Sequence, residues 1–403
     1  MKKVFLVSFL SILAVISAQA ATDTGGDGSQ IKINGNPLNP VHTAVPLLSI
    51  APDARGGGMG DIGAATVPDV SSQYWNPAKF PFMKSNGGLG FSYTPWLSKL
   101  NVDINLAYLS GYWKFSEGQA VSASLRYFSL GDVQFRQGPN DPGMIVNPNE
   151  FSIDAAYSRL LSENWSAAVA LRYIRSDLTS GVTVSGDQMY AGNSVAADIA
   201  AFYSKPVLIF GNEGSVSFGT NISNIGTKVT YDEGNSSDFL PTNWRLGGSF
   251  NIPFDDYNKL SINADINKFL VPTLPQRKNG EEEDDYEKRV QEYNNGISVI
   301  SGIFRSFTDA PRGFKEEMEE IMWSAGLEYS YINQFFVRGG YFHESQNKGN
   351  RKYFTAGVGF RLNIFQLDAA YVIATSQSNP LDQTLRFSLS FDLAGIKNLM
   401  GRN

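Results

Sequence analysis

Cysteine is absent from this chain. That excludes a disulfide framework, a thiolate metal site and a cysteine-borne lipid anchor. Histidine is nearly absent: His42 and His343 are the two, far apart in sequence, which argues against a transition-metal site. No G-x-S-x-G, H-E-x-x-H or phosphate-loop motif occurs. No apolar run is long enough to span a bilayer as a helix. The longest, Val4 to Ile16, follows Lys2 and Lys3 and precedes Ala18-Gln19-Ala20, the pattern of a cleaved secretory leader over residues 1–20. Charge excess is small. The net charge is −6, and loss of the two leader lysines takes it to −8. A mildly acidic chain without a basic stripe gives no support to nucleic-acid binding.

What the chain has is alternation. Leu260 to Asn267 (LSINADIN) places Leu260, Ile262, Ala264 and Ile266 on one face and polar residues on the other. Leu385 to Leu393 does the same with Phe387, Leu389 and Phe391. A period of two marks a strand between two unlike environments. Fourteen such segments fall between Gly88 and Leu393, joined by linkers that are alternately short and long. Repeated behind a leader, this predicts an all-β protein: a fourteen-stranded antiparallel transmembrane barrel with short turns in the periplasm and long loops outside. The slightly negative mean hydropathy suits a barrel, where only alternate strand residues face lipid. A soluble secreted β-protein of this length needs two cores and a boundary, and no linker offers one. Both termini are expected in the periplasm. The predicted divisions are a mobile periplasmic segment at 21–41, a hatch at 42–86, the barrel at 87–393 with a long external loop at 271–319, and a periplasmic tail at 394–403. Trp96, Trp113, Trp165, Trp244 and Trp323 fall near strand ends, where aromatic girdles sit.

The polar phase of the strands carries Asp103, Arg126, Asp154, Arg172, Asp198, Arg245, Asp265, Glu328, Arg338, Arg361, Asp368 and Arg386. Signs mostly alternate between neighbouring strands, and Glu328, Arg338, Arg361 and Asp368 are expected in a lower tier. The plain reading is a pairing network that stiffens the wall; the functional reading is a track for a passing chain or ligand. A balanced lumen argues against a strongly charge-selective porin.

The hatch string Ala51 to Phe80 (APDARGGGMGDIGAATVPDVSSQYWNPAKF) lacks alternation. Gly56, Gly57 and Gly58 allow close approach to a wall. Asp53, Arg55 and Asp61 are placed to pair with lumen charges. Tyr74, Trp75, Asn76 and Pro77 read as a turn with aromatic anchors. The segment is a structural plug or a gate that a partner displaces. In the long loop, Glu281 to Asp285 is a run of five acids, by itself a solvated face without the ligand spacing of a calcium loop. After it, Ile297, Ile300, Phe304 and Phe307 recur at helical spacing, an amphipathic helix over the mouth or at the lipid surface.

The string from Ala51 to Phe80 resembles the N-terminal signature of the PorV/PorQ family of Bacteroidota, relatives of FadL-type fourteen-stranded barrels, and the similarity extends over essentially the whole mature chain. Length, lack of cysteine and the acidic loop suit the PorV branch, also called LptO, better than the PorQ branch. The resemblance implies a non-enzymatic, cofactor-free and metal-free role in type IX secretion, as an outer-membrane shuttle. Such proteins bind the C-terminal signal domain of cargo at the translocon. They pass it to the attachment complex of a PorU-type sortase with PorQ and PorZ-like proteins. No catalytic residue is carried over. Position alone suggests Trp96, Phe135, Arg136, Tyr231 and Phe239, in the outward loops and upper lumen, as cargo contacts. The alternatives are a transporter of hydrophobic small molecules, which needs an apolar pocket and a wall opening, and a lipid A deacylase, which needs a serine beside His343.

Overall fold

In the computed structural model, residues 32–33, 36–96, 103–135, 143–178, 183–184, 187–232, 237–278, 280–375 and 381–393 are described. The leader, the tail at 394–403 and Arg136 lie outside them. Fourteen antiparallel strands close into one barrel. In chain order they are β1 (Gly87–Trp96), β2 (Ile104–Ser116), β3 (Gln119–Ser129), β4 (Asn149–Leu160), β5 (Trp165–Asp177), β6 (Gly192–Ile209), β7 (Asn212–Gly226), β8 (Asn243–Pro253), β9 (Asn258–Phe269), β10 (Met322–Tyr331), β11 (Phe335–His343), β12 (Lys352–Leu362), β13 (Phe365–Ala374) and β14 (Leu385–Asp392). Each pairs with the next, and β14 closes on β1 from Phe387↔Tyr93 to Asp392↔Gly88. Closure leaves no unpaired edge.

The alternation explains the wall. Leu89, Phe91, Leu109, Val169, Leu171, Ile262, Ile266 and Phe387 are exposed on the outer face, while their strand neighbours Ser110, Ser152, Ser166, Asn263 and Asp265 are buried inside. A continuous outer belt of bare aliphatic and aromatic side chains is stable against lipid and not against water. Trp113, Trp165 and Trp323 stand on that outer face. Trp96 does not: it is buried among Leu106, Phe128 and Leu130 inside the mouth, a correction to its expected place in the girdle. Among the described residues no helix is long and apolar enough to cross a membrane.

The chain from Pro206 to Gly214 is mostly strand. β6 and β7 run on until Phe210 and Gly211 alone turn the chain, both at positive φ (53° and 82°). Such a pair of left-handed residues matches the twist of a two-residue hairpin.

The N-terminal segment runs the length of the lumen. The amide of Asn39 donates to the Asn347 carbonyl and that of Ala44 to the Phe239 carbonyl, each at 2.9 Å, and both acceptors lie in long loops. A 3-10 turn (Pro46–Ser49) then enters the mouth, helix α1 (Ala54–Gly57) lies against β12, β13 and β14, and α2 (Ser72–Trp75) and a second 3-10 turn (Pro77–Phe82) follow. The segment leaves at the short-turn end, where Lys114 donates to the Met83 carbonyl at 2.6 Å. Residues 38–44 therefore sit with the long loops, opposite the end of β14. For residues 38–41 this corrects the expectation that the segment before the hatch lies at the short-turn end: β1 starts there, so a hatch that crosses the lumen must begin at the other end. Tyr74 to Pro77 forms the junction of α2 with the second 3-10 turn, which Asn76 caps.

The long loop folds into α3 (Glu283–Gly296), α4 (Val299–Arg305) and α5 (Phe314–Glu319).

Candidate functional site in the lumen and mouth

The hatch is tied to the wall by charge. Arg55 reaches Glu328 at 2.9 Å and Asp69 at 2.8 Å. Arg338 bridges the same Glu328 at 2.6 Å and Asp368 at 2.7 Å, and its side chain is fully buried. Arg361 borders this tier but donates to Gln366 at 2.8 Å and lies over the Phe336 ring. On the opposite wall Arg172 lies between Asp154 (2.6 Å) and Asp198 (2.8 Å) and also donates to Asn224. A buried pair of this kind holds only when each charge is met and the remaining donors are used, as here. Asp61 accepts from Arg386 and, at 2.6 Å, from the Tyr353 hydroxyl. Asp265 accepts the amides of Gly63 (2.8 Å) and Ala64 (2.9 Å).

Other charges also depart from the expected network. Asp103 precedes β2 on its outward phase and is exposed, because the inward phase begins at the buried Ile104. Arg126 and Arg245 face inward without a carboxylate. Asp53 does not pair with the wall: its carboxylate caps α1 through the Gly56 amide (2.8 Å) and accepts the Trp75 indole N–H at 2.6 Å. Gly56, Gly57 and Gly58 sit where α1 presses on Trp75, Arg386 and Gly357. Asn76 accepts the Ala78 amide and donates to the carbonyls of Ala64 and Ala201, all at 3.0 Å, pinning the start of the Pro77 turn to β6.

The mouth is filled rather than open. Ala44, Val45, Leu47, Leu48 and Ile50 are buried with Trp96, Ile104, Leu106, Phe128, Ile174 and Leu240. Tyr231 packs on this cluster and donates to Ser176 at 2.9 Å. Phe239 is buried with Val271 and Ile297, under Lys228 at 4.5 Å from its ring. Trp96, Tyr231 and Phe239 thus pack against the N-terminal segment instead of facing solvent: aromatics over a barrel mouth gain more by burial on an apolar strap than by exposure. Phe135 ends a short ribbon (Val133–Phe135) and its side chain, like Arg136, lies outside the described residues.

A cluster not anticipated from the sequence clamps the long loop. Lys348 bridges Glu316 (2.7 Å) and Glu320 (3.0 Å), and Lys268 bridges Glu317 (3.1 Å) and Glu320 (2.5 Å). Asn39 donates to Glu316 at 3.1 Å, so the same cluster holds the N-terminal segment. The acidic string Glu316–Glu320 was visible; its lysine partners, remote in sequence, were not. Burial opposes ionisation of Glu316, but Lys348 outweighs it and holds the carboxyl below its usual range. Burial, with Glu317 and Glu320 nearby, pushes Asp309 up to about 6. In the acidic run, Glu281 accepts from Arg289 at 2.7 Å and from the Lys278 amide at 2.8 Å, which brings it down to about 2. Asp284 and Asp285 are exposed in the first turn of α3, where carboxylates favour the helix dipole.

Helix α4 carries Ile300 and Phe304 bare (59% and 72% exposed), while Ile297 is buried. Val299 and Ile300 border the outward residues Leu171, Val195 and Ile225, and Phe307 meets Trp244 edge-on at 6.1 Å. The helix lies against the outer wall, not over the mouth. His343 is on the outward phase of β11, stacked on Trp323 at 5.1 Å, and its ring nitrogen contacts the Tyr341 hydroxyl at 3.4 Å. Its hydrogen-bond partner is thus a tyrosine on its own strand, where a deacylase would place a serine. Among the described residues no three histidine or acidic side chains group as a metal site.

The arrangement is a plugged barrel with a folded loop cluster at one end. The family model described as Type IX secretion system protein PorV matches residues 34–277, more than half of the chain. No curated protein matches the chain. Among solved structures, the chain is similar to a Pseudomonas aeruginosa FadL homologue (12% identity, 88% of this chain and 99% of that one, TM-score 0.47). It is also similar to the CymD monoaromatic hydrocarbon channel (10%, 85% and 98%, 0.46) and to the Ralstonia pickettii toluene transporter TbuX (9%, 85% and 96%, 0.44). On its family match and its closed fourteen-strand barrel, the chain belongs to the PorV family of type IX secretion system proteins, β-barrels of the outer membrane.

Proposed function

We propose that this protein is the cargo receptor and shuttle of its secretion system. It binds the C-terminal signal domain of secreted proteins at the translocon and delivers them to the PorU-type sortase complex, with PorQ and PorZ-like partners. The observation that carries the reading is the family match over residues 34–277. The geometry supports recognition over conduction: a hatch bonded to the wall by Arg55, Asp61 and Asp265 leaves no reason to treat the lumen as a route for folded protein. Cargo meets the long-loop end, which this reading places outside the cell. Affinity comes from strand pairing and a few anchors rather than from bulk burial. Phe135 and Arg136 stay as candidate contacts. Trp96, Tyr231 and Phe239 join them only if the strap 44–50 is displaced.

The test is affinity purification of the tagged protein from its native outer membrane, with mass spectrometry of what accompanies it. Secreted proteins sharing a C-terminal domain, or sortase and translocon components, are expected. Recovery of the barrel alone, or with a small hydrophobic ligand, would overturn the shuttle reading; the ligand would favour transport.

A further inference from the structure

Arg126 poses a problem that the rest of the lumen does not solve. Its side chain points inward from β3 and is 1% exposed. Its Nε and Nη1 are buried without a hydrogen-bond partner. Asp154, the nearest acid, is already taken by Arg172 and by the Ser124 hydroxyl. An ionised guanidinium held dry and unpaired is among the least favourable arrangements a protein interior can contain. A second arginine faces it. Arg245 on β8 donates to the Asn267 side chain at 2.9 Å and to the Trp75 carbonyl at 3.5 Å, both neutral. The two guanidiniums flank one hatch ring: Arg126 lies 5.2 Å and Arg245 5.3 Å from the centre of Tyr74, and Arg245 lies 4.7 Å from that of Trp75.

Both arginines line a cavity of about 60 Å³ between the strap, the hatch and the wall. A water needs roughly 10–15 Å³ on this measure, so the space suits a group of a few heavy atoms and not an acyl chain. The other charged groups on its lining are ion-paired: Arg172 bridges Asp154 and Asp198, Arg351 meets Glu344, and Asp61 meets Arg386. Arg126 and Arg245 are the guanidiniums on this lining with no carboxylate in hydrogen-bond contact. Planar guanidiniums recognise carboxylate and phosphate oxygens through paired N–H donors.

We propose that this cavity binds a free, compact oxyanion, carboxylate or phosphate in type, between Arg126 and Arg245 against the Tyr74–Trp75 face of the hatch. The anion joins β3, β8 and the hatch through one ligand, so its occupancy sets how firmly the hatch is seated. The inference is independent of the shuttle reading.

The test uses the full chain in detergent, dialysed into chloride and titrated with acetate or inorganic phosphate at constant ionic strength. The unfolding midpoint and tryptophan fluorescence are followed. At least one oxyanion should raise the midpoint saturably where chloride does not, and the acetate and phosphate arms assign the class. Arg126→Met and Arg245→Met should each weaken the response at least tenfold, with Arg126→Lys intermediate. Without oxyanion, Arg126→Met should unfold no earlier than the parent, since it removes an unpaired charge. Absence of a saturable response, an equal response in Arg126→Met, or an earlier midpoint for that variant in chloride would each overturn the proposal.

Discussion

At the scale of single residues, the lumen separates charges that hold the wall from charges that hold the hatch. Arg172 belongs to the first kind: both of its acids are buried on neighbouring strands. Arg172→Met strands two carboxylates, and removing one member of a buried pair costs about 3–5 kcal/mol. We expect a clear fall in the unfolding midpoint, largely recovered when Asp154→Asn and Asp198→Asn are added, because an emptied network leaves nothing unpaired. A triple variant no better than the single one would mean that Arg172 acts through packing. Gly340, on β11, is where the wall meets the hatch. A methyl added there would overlap the Met59 backbone, which offers no flexible atom to yield. Gly340→Val should leave the barrel closed, as judged by heat-modifiable gel mobility, yet make the hatch sensitive to protease. Resistance equal to the parent would show that the contact is not what seats it. The alternating signs of Asp154, Arg172 and Asp198 were legible in the sequence because strand period and strand order suffice to place them. The isolation of Arg126 was not, since it depends on where a non-periodic hatch lays Tyr74.

At the scale of elements, legibility tracked environment. Period two is written only where a strand has lipid on one side and lumen on the other. It therefore faded at Pro206–Ile209, where β6 passes beyond the wall and Pro206 and Leu208 are both exposed. The helical spacing around Ile300 and Phe304 was visible. The side of the barrel it faces was not, because an apolar stripe fits a mouth or a membrane equally well. The clamp on this loop has a pH signature. Asp309 is raised to about 6 by burial, and its carboxylate accepts the Thr273 amide at 3.1 Å. A raised carboxyl favours the folded loop fully below its ordinary value of 3.8, and that contribution is lost as pH rises through about 6. Asp309→Asn should thus raise the midpoint at pH 7.5 and leave it nearly unchanged at pH 4. Glu316 moves the other way, its stabilisation lost only as pH falls below the usual carboxylate range. An Asp309→Asn effect that is the same at both pH values would place the destabilisation elsewhere.

At the scale of the molecule, the two ends of the barrel differ, and function depends on which faces out. Short turns and the exit of the hatch share one end; the loop cluster, α5 and the strap entrance share the other. Barrels of the outer membrane turn their short ends to the periplasm. The lack of native cysteine makes this directly measurable, because each introduced thiol is alone. Lys315→Cys lies exposed on α5, and Glu163→Cys lies exposed in the turn between β4 and β5. A membrane-impermeant maleimide applied to intact cells should label Lys315→Cys and spare Glu163→Cys, with both labelled after the outer membrane is opened. The reverse pattern would put the loop cluster in the periplasm, and cargo could not then be met there from outside. The expected pattern has a further consequence. Asn39 is bonded to Glu316 and Asn347 in the same cluster, so a thiol at His42, beside that entrance, belongs to the outer end. Its labelling should be slow while the strap is seated and rise if cargo displaces it, which separates a permanent plug from a gate.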